Sequence, residues 1–177
     1  MKPIFVLLLL LPIICNGQHA FPIDSATGKI LYSGIFTVDS ASKLNLYVTA
    51  KDCILKAYLN PIAKLQYEDK EAGRIVYQVS EEITSSALLN PLVVGKVSYL
   101  ITISVKENKY KYEITHFYYA NILEEPPVTF ESMFPDFTTT AQLKLIKGYY
   151  EQLNSDIQRF IKRLNSNMPK ANALVEW

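Results

Sequence analysis

The sequence predicts an α+β protein built as a two-layer sandwich: one antiparallel sheet with two helices on a single face. Three observations predict it. Stretches such as Lys96 to Lys106 alternate apolar and polar residues with period two, and turn formers separate them. Two other stretches, Ser42 to Asn60 and Thr140 to Ser166, repeat their apolar residues at steps of three and four. A sheet of five strands then has one face to bury and two helices to bury it with.

The first element, Phe21 to Gly28, is a lead-in rich in turn formers (Pro22, Asp24, Thr27, Gly28). Lys29 to Asp39 reads as a strand, with Ile30, Tyr32, Gly34, Phe36 and Val38 on one face. Ser40 and Ser42 offer an N-cap for a helix over Ser42 to Asn60. Its stripe is Leu46, Tyr47, Ala50, Cys53, Ile54, Ala57 and Tyr58, and Asn60-Pro61 stops it. Ile62 to Glu68 and Arg74 to Thr84 form a hairpin about Glu71-Ala72-Gly73. After Asn90-Pro91 and Gly95, Lys96 to Lys106 and Lys109 to Tyr119 form a second hairpin about Glu107-Asn108. The last strand is expected to place Tyr110, Tyr112, Ile114, His116 and Tyr118 on one face.

Asn121 to Asp136 holds Pro126, Pro127 and Pro135 and reads as a crossing segment without a strand. Thr139 with Gln142 forms a capping box for the second helix. That helix carries Leu143, Ile146, Tyr150, Leu153, Ile157, Phe160 and Leu164 in one stripe. At 1.5 Å per residue it is about 40 Å long. Five strands side by side span only about 24 Å. The end around Phe160, Ile161 and Leu164 is therefore expected to overhang the sheet, exposed, as a partner or self-association surface.

The amino end is an address. Met1-Lys2 is basic, Ile4 to Ile14 is apolar apart from Pro12, and Asn16-Gly17-Gln18 is polar with a small residue. That is the pattern of a secretory signal peptide cut after Gly17. The apolar run is shorter than the roughly 20 residues that span a bilayer, so no transmembrane segment is expected in the mature chain. Lipidation at Cys15 is the less favoured alternative, because Ile14 precedes it where a small residue belongs. The expected organisation is 1–17 signal peptide, 18–28 lead-in, 29–119 sheet and first helix, 120–138 proline-rich linker, 139–168 long helix and 169–177 tail. Residues 18–177 then form a single domain.

Composition narrows the function. The 177 residues are 49% hydrophobic and carry a formal charge of +1. Removing Lys2 leaves 17 basic and 17 acidic residues, so no basic footprint for nucleic acid exists. Cys15 lies in the signal, which leaves Cys53 with no disulfide partner in the mature chain.

Three motifs bear on kinship. They are Phe21-Pro22-Ile23-Asp24 with Thr27-Gly28-Lys29-Ile30; Val38-Asp39-Ser40-Ala41-Ser42-Lys43 with Leu46-Tyr47 and Ala50; and Tyr67-Glu68-Asp69-Lys70-Glu71-Ala72-Gly73-Arg74-Ile75. Together they resemble an uncharacterised bacterial family, a domain of unknown function with a fold like that of the TATA-binding protein (TBP). The resemblance runs from about Phe21 to Tyr119. It implies a TBP-like order of strand, helix, four antiparallel strands and helix. It also implies secretion by a Gram-negative bacterium, into the periplasm or to the outer surface. Related sequences often carry a tryptophan at the position of Cys53, which implies a differently packed core there. The resemblance implies no activity and no catalytic residue. Binding of DNA is not inherited with a fold.

No catalytic constellation, metal set or cofactor motif emerges. His19 and His116 stand alone, and a metal site needs several ligands together. Cys53 lies on the apolar stripe, where a thiol packs and does not react. Glu68-Asp69, Glu81-Glu82 and Glu124-Glu125 read as solvated, since neighbours on a strand point to opposite faces. Tyrosine is in excess, with 12, and Tyr32, Tyr77, Tyr99, Tyr110 and Tyr112 fall on strands. A tyrosine-lined sheet face could bind a flat or carbohydrate-like ligand, although strands favour tyrosine in any case. The expected function is a non-catalytic, secreted binding or scaffolding module. Its partner is an unknown envelope protein or a small ligand. The alternatives are a carrier of a small apolar ligand between sheet and long helix and, with less support, a hydrolase whose carboxylates meet only in three dimensions.

Overall fold

The computed structural model describes residues 21–58, 62–85, 92–121, 126–133, 140–169 and 171–173. The expected signal peptide, His19, Glu124-Glu125, Thr139 and the tail from 174 lie outside these residues, as do the side chains of Leu143 and Ile146. The elements in order are β1 (Tyr32–Val38), α1 (Lys43–Ala57), β2 (Ala63–Asp69), β3 (Arg74–Ser85), β4 (Leu92–Lys106), β5 (Lys109–Asn121), β6 (Val128–Thr129), a 3-10 turn (Phe130–Met133), α2 (Thr140–Asn167) and β7 (Ala171–Ala173). This is an α+β arrangement, an antiparallel sheet with two helices. The sheet order is β2-β3-β4-β5-β1-β7, with β6 pairing β5 from outside that path. Helix α1 thus carries the chain from β1 to the opposite edge of the sheet.

Ser42 caps α1, its Oγ accepting from the Asn45 N–H at 3.2 Å. The turn before that cap is tied to the β4–β5 hairpin. Asn108 takes a positive φ of 59°, its Oδ1 accepts from Ala41 N–H at 3.0 Å, and its carbonyl accepts from Val38 N–H at 2.7 Å. At the other hairpin Gly73 holds a φ of 72°, and a Cβ there would stand 2.5 Å from the Val105 carbonyl oxygen. Only glycine satisfies both constraints.

The core fills the space between the sheet and both helices. Ile75, Tyr77 and Val79 of β3, and Val97, Tyr99, Ile101, Ile103 and Val105 of β4, point inward against Leu46, Ala50 and Ile54 of α1. From the sheet, Tyr32 donates to Asn154 Oδ1 at 2.6 Å and Tyr110 to Asn165 Oδ1 at 3.1 Å. Both acceptors lie on α2.

Three expectations are corrected. The end of α2 does not overhang: Phe160 is 3% exposed, Ile161 8% and Leu164 0%. The width comparison assumed that the helix crosses the strands. Instead α2 runs with them: Asn154 meets Tyr32, and Asn165, eleven residues on, meets Tyr110, four residues from Tyr32's partner Ile114. Strand β4 has 15 residues, about 50 Å at 3.3 Å each, which is ample length. Second, β5 does not alternate through His116. That residue takes a φ of 58° where the β4–β5 register shifts, so Phe117 turns inward and His116 outward. Third, the linker contributes β6 and the end of the chain contributes β7, which extends the sheet beyond β1.

Candidate functional site

All five strand tyrosines expected to line a ligand face are buried, Tyr32, Tyr77, Tyr99, Tyr110 and Tyr112 being 0 to 7% exposed. They face the helices and belong to one core. Phe36 stacks on Tyr110 and Tyr112, with ring centres 5.1 and 6.1 Å away, and Tyr99 stacks on Phe117 at 5.2 Å. Burial pushes all five phenols above their ordinary pKa. Phe160 also packs inside, against Tyr58 at 5.3 Å.

Cys53 and His116 are the cysteine and the histidine among the described residues, and they are not brought together. Cys53 is 6% exposed, and burial raises its thiol pKa, which lowers its reactivity at neutral pH. His116 is exposed, its Nδ1 2.7 Å from the neighbouring Thr115 Oγ1. Among the described residues no three His, Cys, Asp or Glu side chains group as metal ligands, and no helix is long and apolar enough to cross a membrane.

Glu81 corrects the solvated reading of its pair. It occupies an inward position of β3, between Val79 and Ile83, while Glu82 is exposed. Tyr99 donates to Glu81 Oε1 at 2.9 Å, and the Tyr58 hydroxyl lies 3.3 Å behind Tyr99. Burial raises the Glu81 pKa; the Tyr99 bond lowers it and the charge of Asp156 raises it further. Asp156 comes from α2 and shares with Glu81 a small cavity that Tyr149, Gln152, Leu153 and Val97 also line. The Tyr149 hydroxyl is buried with no hydrogen-bond partner among the described residues. A carboxylate on the core-facing phase of a strand was the available signal in the sequence. The partner contributions come from α2, more than 60 positions away, and no local pattern reveals them.

Helix α1 carries a second feature, on its outer side. Leu44, Val48 and Leu55 are 52, 56 and 49% exposed. At 100° per residue they fall within about 40° of one another. Their face points away from buried Leu46, Ala50, Cys53 and Ile54. Lys51 lies in the middle of this stripe. Its Nζ donates to both Glu68 oxygens, at 2.7 and 2.9 Å, and Tyr47 donates to Glu68 Oε1 at 2.6 Å. The Lys51 bond, then the Tyr47 bond, hold the Glu68 carboxyl below its usual pKa. Asp52 is bridged to Lys56 at 2.6 Å. Steps of four and seven from Leu44 were visible in the sequence, but the stronger inward stripe masks them.

An antiparallel sheet with both helices on one side defines the TBP-like class of fold. Residues 32–120 match the model of a family described as a domain of unknown function (DUF4468) with TBP-like fold, and the chain belongs to that family. It is similar to a DUF4468 family protein from Bacteroides ovatus, with 21% identity over 83% of this chain and 91% of that one and a TM-score of 0.60. It is also similar to a TBP-like protein from Parabacteroides distasonis, with 18% identity, 86% and 99% coverage and a TM-score of 0.62. At such identities the likeness is one of fold. No curated protein matches the chain.

Proposed function

We propose that this protein is a non-catalytic binding module of the bacterial envelope, exported by residues 1–17, and that it docks another envelope protein on the outer face of α1. The observation that carries this reading is the second apolar stripe, Leu44, Val48 and Leu55. A helix that only covers a sheet carries polar residues on its solvent side. Leu65, on edge strand β2, is 41% exposed as well. The charges at the stripe are already paired within the chain, Lys51 with Glu68 and Asp52 with Lys56. The partner is therefore a protein with an apolar strip, for which a rim of free charge is not needed.

Replacing Val48 and Leu55 together by Glu tests the docking. The double variant keeps its circular dichroism and melting temperature, because both side chains are half exposed. In producing cells, a chemical cross-linker traps the native protein in a discrete adduct that the variant does not form. An undiminished adduct from a folded variant removes the proposed surface. Export is tested by intact mass: the mature form begins at Gln18, and an acylated Cys15 or a retained leader overturns that part.

A further inference from the structure

We propose, resting on the docking at α1 read above, that the partner binds as an extended segment that adds a strand to the free edge of β2. Its apolar side chains lie on Val48 and Leu55, and a carboxylate meets Lys70.

Strand β2 ends the sheet and pairs with β3 alone among the described residues. The Ile62 carbonyl accepts from the Ser80 N–H at 2.9 Å. Alternation from there turns the N–H and C=O of Ala63 and Leu65 away from β3, toward the open edge. Lys64 to Glu68 are all exposed. Such an edge takes up an extended chain through main-chain hydrogen bonds. The register shift at Gln66 bends the edge, so the added strand is short and open-ended stacking is blocked.

The helix side of this edge is also open. A groove of about 360 Å³ lies between α1 and β2, lined by Tyr47, Val48 and Leu55 of α1 and by Glu68 and Lys70. Leu65, opposite inward Tyr77, points to the same side. A strand added about 4.8 Å beyond β2 sends every second side chain that way. Those side chains meet Val48, Leu55 and Leu65, so the segment is apolar at alternate positions.

The charges of the groove are unequal. Glu68 is held by Lys51 and Tyr47, and Asp52 by Lys56. Lys70 is exposed and has no ion pair among the described residues. The charge left for a partner is therefore positive, and its complement is a carboxylate. A second copy matches poorly. In a full two-fold overlap of two β2 strands, centred on Gln66, inward Leu65 faces Tyr67, which lies opposite Val76 on the outward phase.

The test titrates ¹⁵N-labelled protein with the capped heptapeptide Glu-Thr-Val-Thr-Val-Thr-Val, which runs antiparallel to β2 with its glutamate at Lys70. Saturable shifts are expected in the amides of residues 47–55 and 63–70, and none in β7 at the opposite edge. Methylating one alternate set of peptide nitrogens is expected to weaken binding at least tenfold, and methylating the other set less than threefold. Lys70→Glu alters an exposed turn residue and is expected to fold. It is expected to bind the glutamate peptide at least tenfold more weakly and to prefer its lysine counterpart. Absence of saturable binding, equal effects of the two methylated sets, or shifts confined to α1 overturns the added strand. A dimer of the native protein that Leu65→Pro dissolves gives the edge to a second copy and overturns it too. The docking reading fails separately, by an undiminished cellular adduct from the Val48→Glu, Leu55→Glu variant. Loss of that adduct without an alternate methyl effect keeps docking at α1 and removes the strand.

Discussion

Replacing Leu164 by Ala asks whether the far end of α2 is docked. Leu164 is fully buried, with 0% exposed, one position before the Asn165 that holds the Tyr110 hydroxyl. Truncation removes three carbons. At about 0.8 kcal/mol per buried CH₂ the transfer loss is about 2.4 kcal/mol. The unfilled cavity adds to it, which puts the total at about 3–4 kcal/mol, inside the range of measured leucine truncations. For a domain of this size that lowers the melting temperature by roughly 6–16 °C. Leu55→Ala is the control, since Leu55 is 49% exposed and leaves no cavity. Its cost is expected to stay below about 1 kcal/mol. Urea titration of both variants, with unchanged slopes, gives the comparison. A loss at Leu164 as small as that at Leu55 would refute a docked helix end.

Gly73→Ala is expected to destabilise by about 2 kcal/mol or more in the same titration, because a positive φ and a backbone contact coincide there; a loss under about 0.5 kcal/mol would contradict the turn geometry. Cys53 is expected to react with a thiol reagent only after denaturant is added, and rapid labelling of the folded protein would contradict its burial. Glu81 gives a pH dependence. Its folded pKa lies above its unfolded one, so the native state holds the proton more tightly. The contribution is complete below the unfolded carboxyl pKa and is lost as pH rises through the folded value. Relative to wild type, Glu81→Gln therefore gains stability as pH rises from below the unfolded carboxyl pKa through the raised folded one in parallel denaturant titrations; a pH-independent difference would show that the carboxyl is solvated.

Much of the fold was legible because its signals are local. The alternation from Val97 to Val105 and the three–four stripe of α2 each lie within one element, and periodicity reports burial directly. Ser42 and Asn108 were legible for the same reason, since caps and tight turns are chosen by neighbouring backbone. The rest depends on pairing across the chain. The inversion at His116 arises from a register shift against β4, which no pattern within β5 encodes. The path of α2 along the strands is set by Tyr32 and Tyr110 reaching Asn154 and Asn165, contacts across 122 and 55 positions. Glu81 breaks the apolar phase of β3 visibly. That it meets Asp156 and Tyr149 follows only from the docking of α2.

The most direct test of the docking account is site-specific photo-cross-linking in producing cells. A photoreactive residue is placed at Val48 or at Leu55, and as a control at Arg74, which is exposed on another element. The account predicts one discrete protein adduct from positions 48 and 55 and none from position 74. Adducts of equal yield from all three positions, or from position 74 alone, would contradict it.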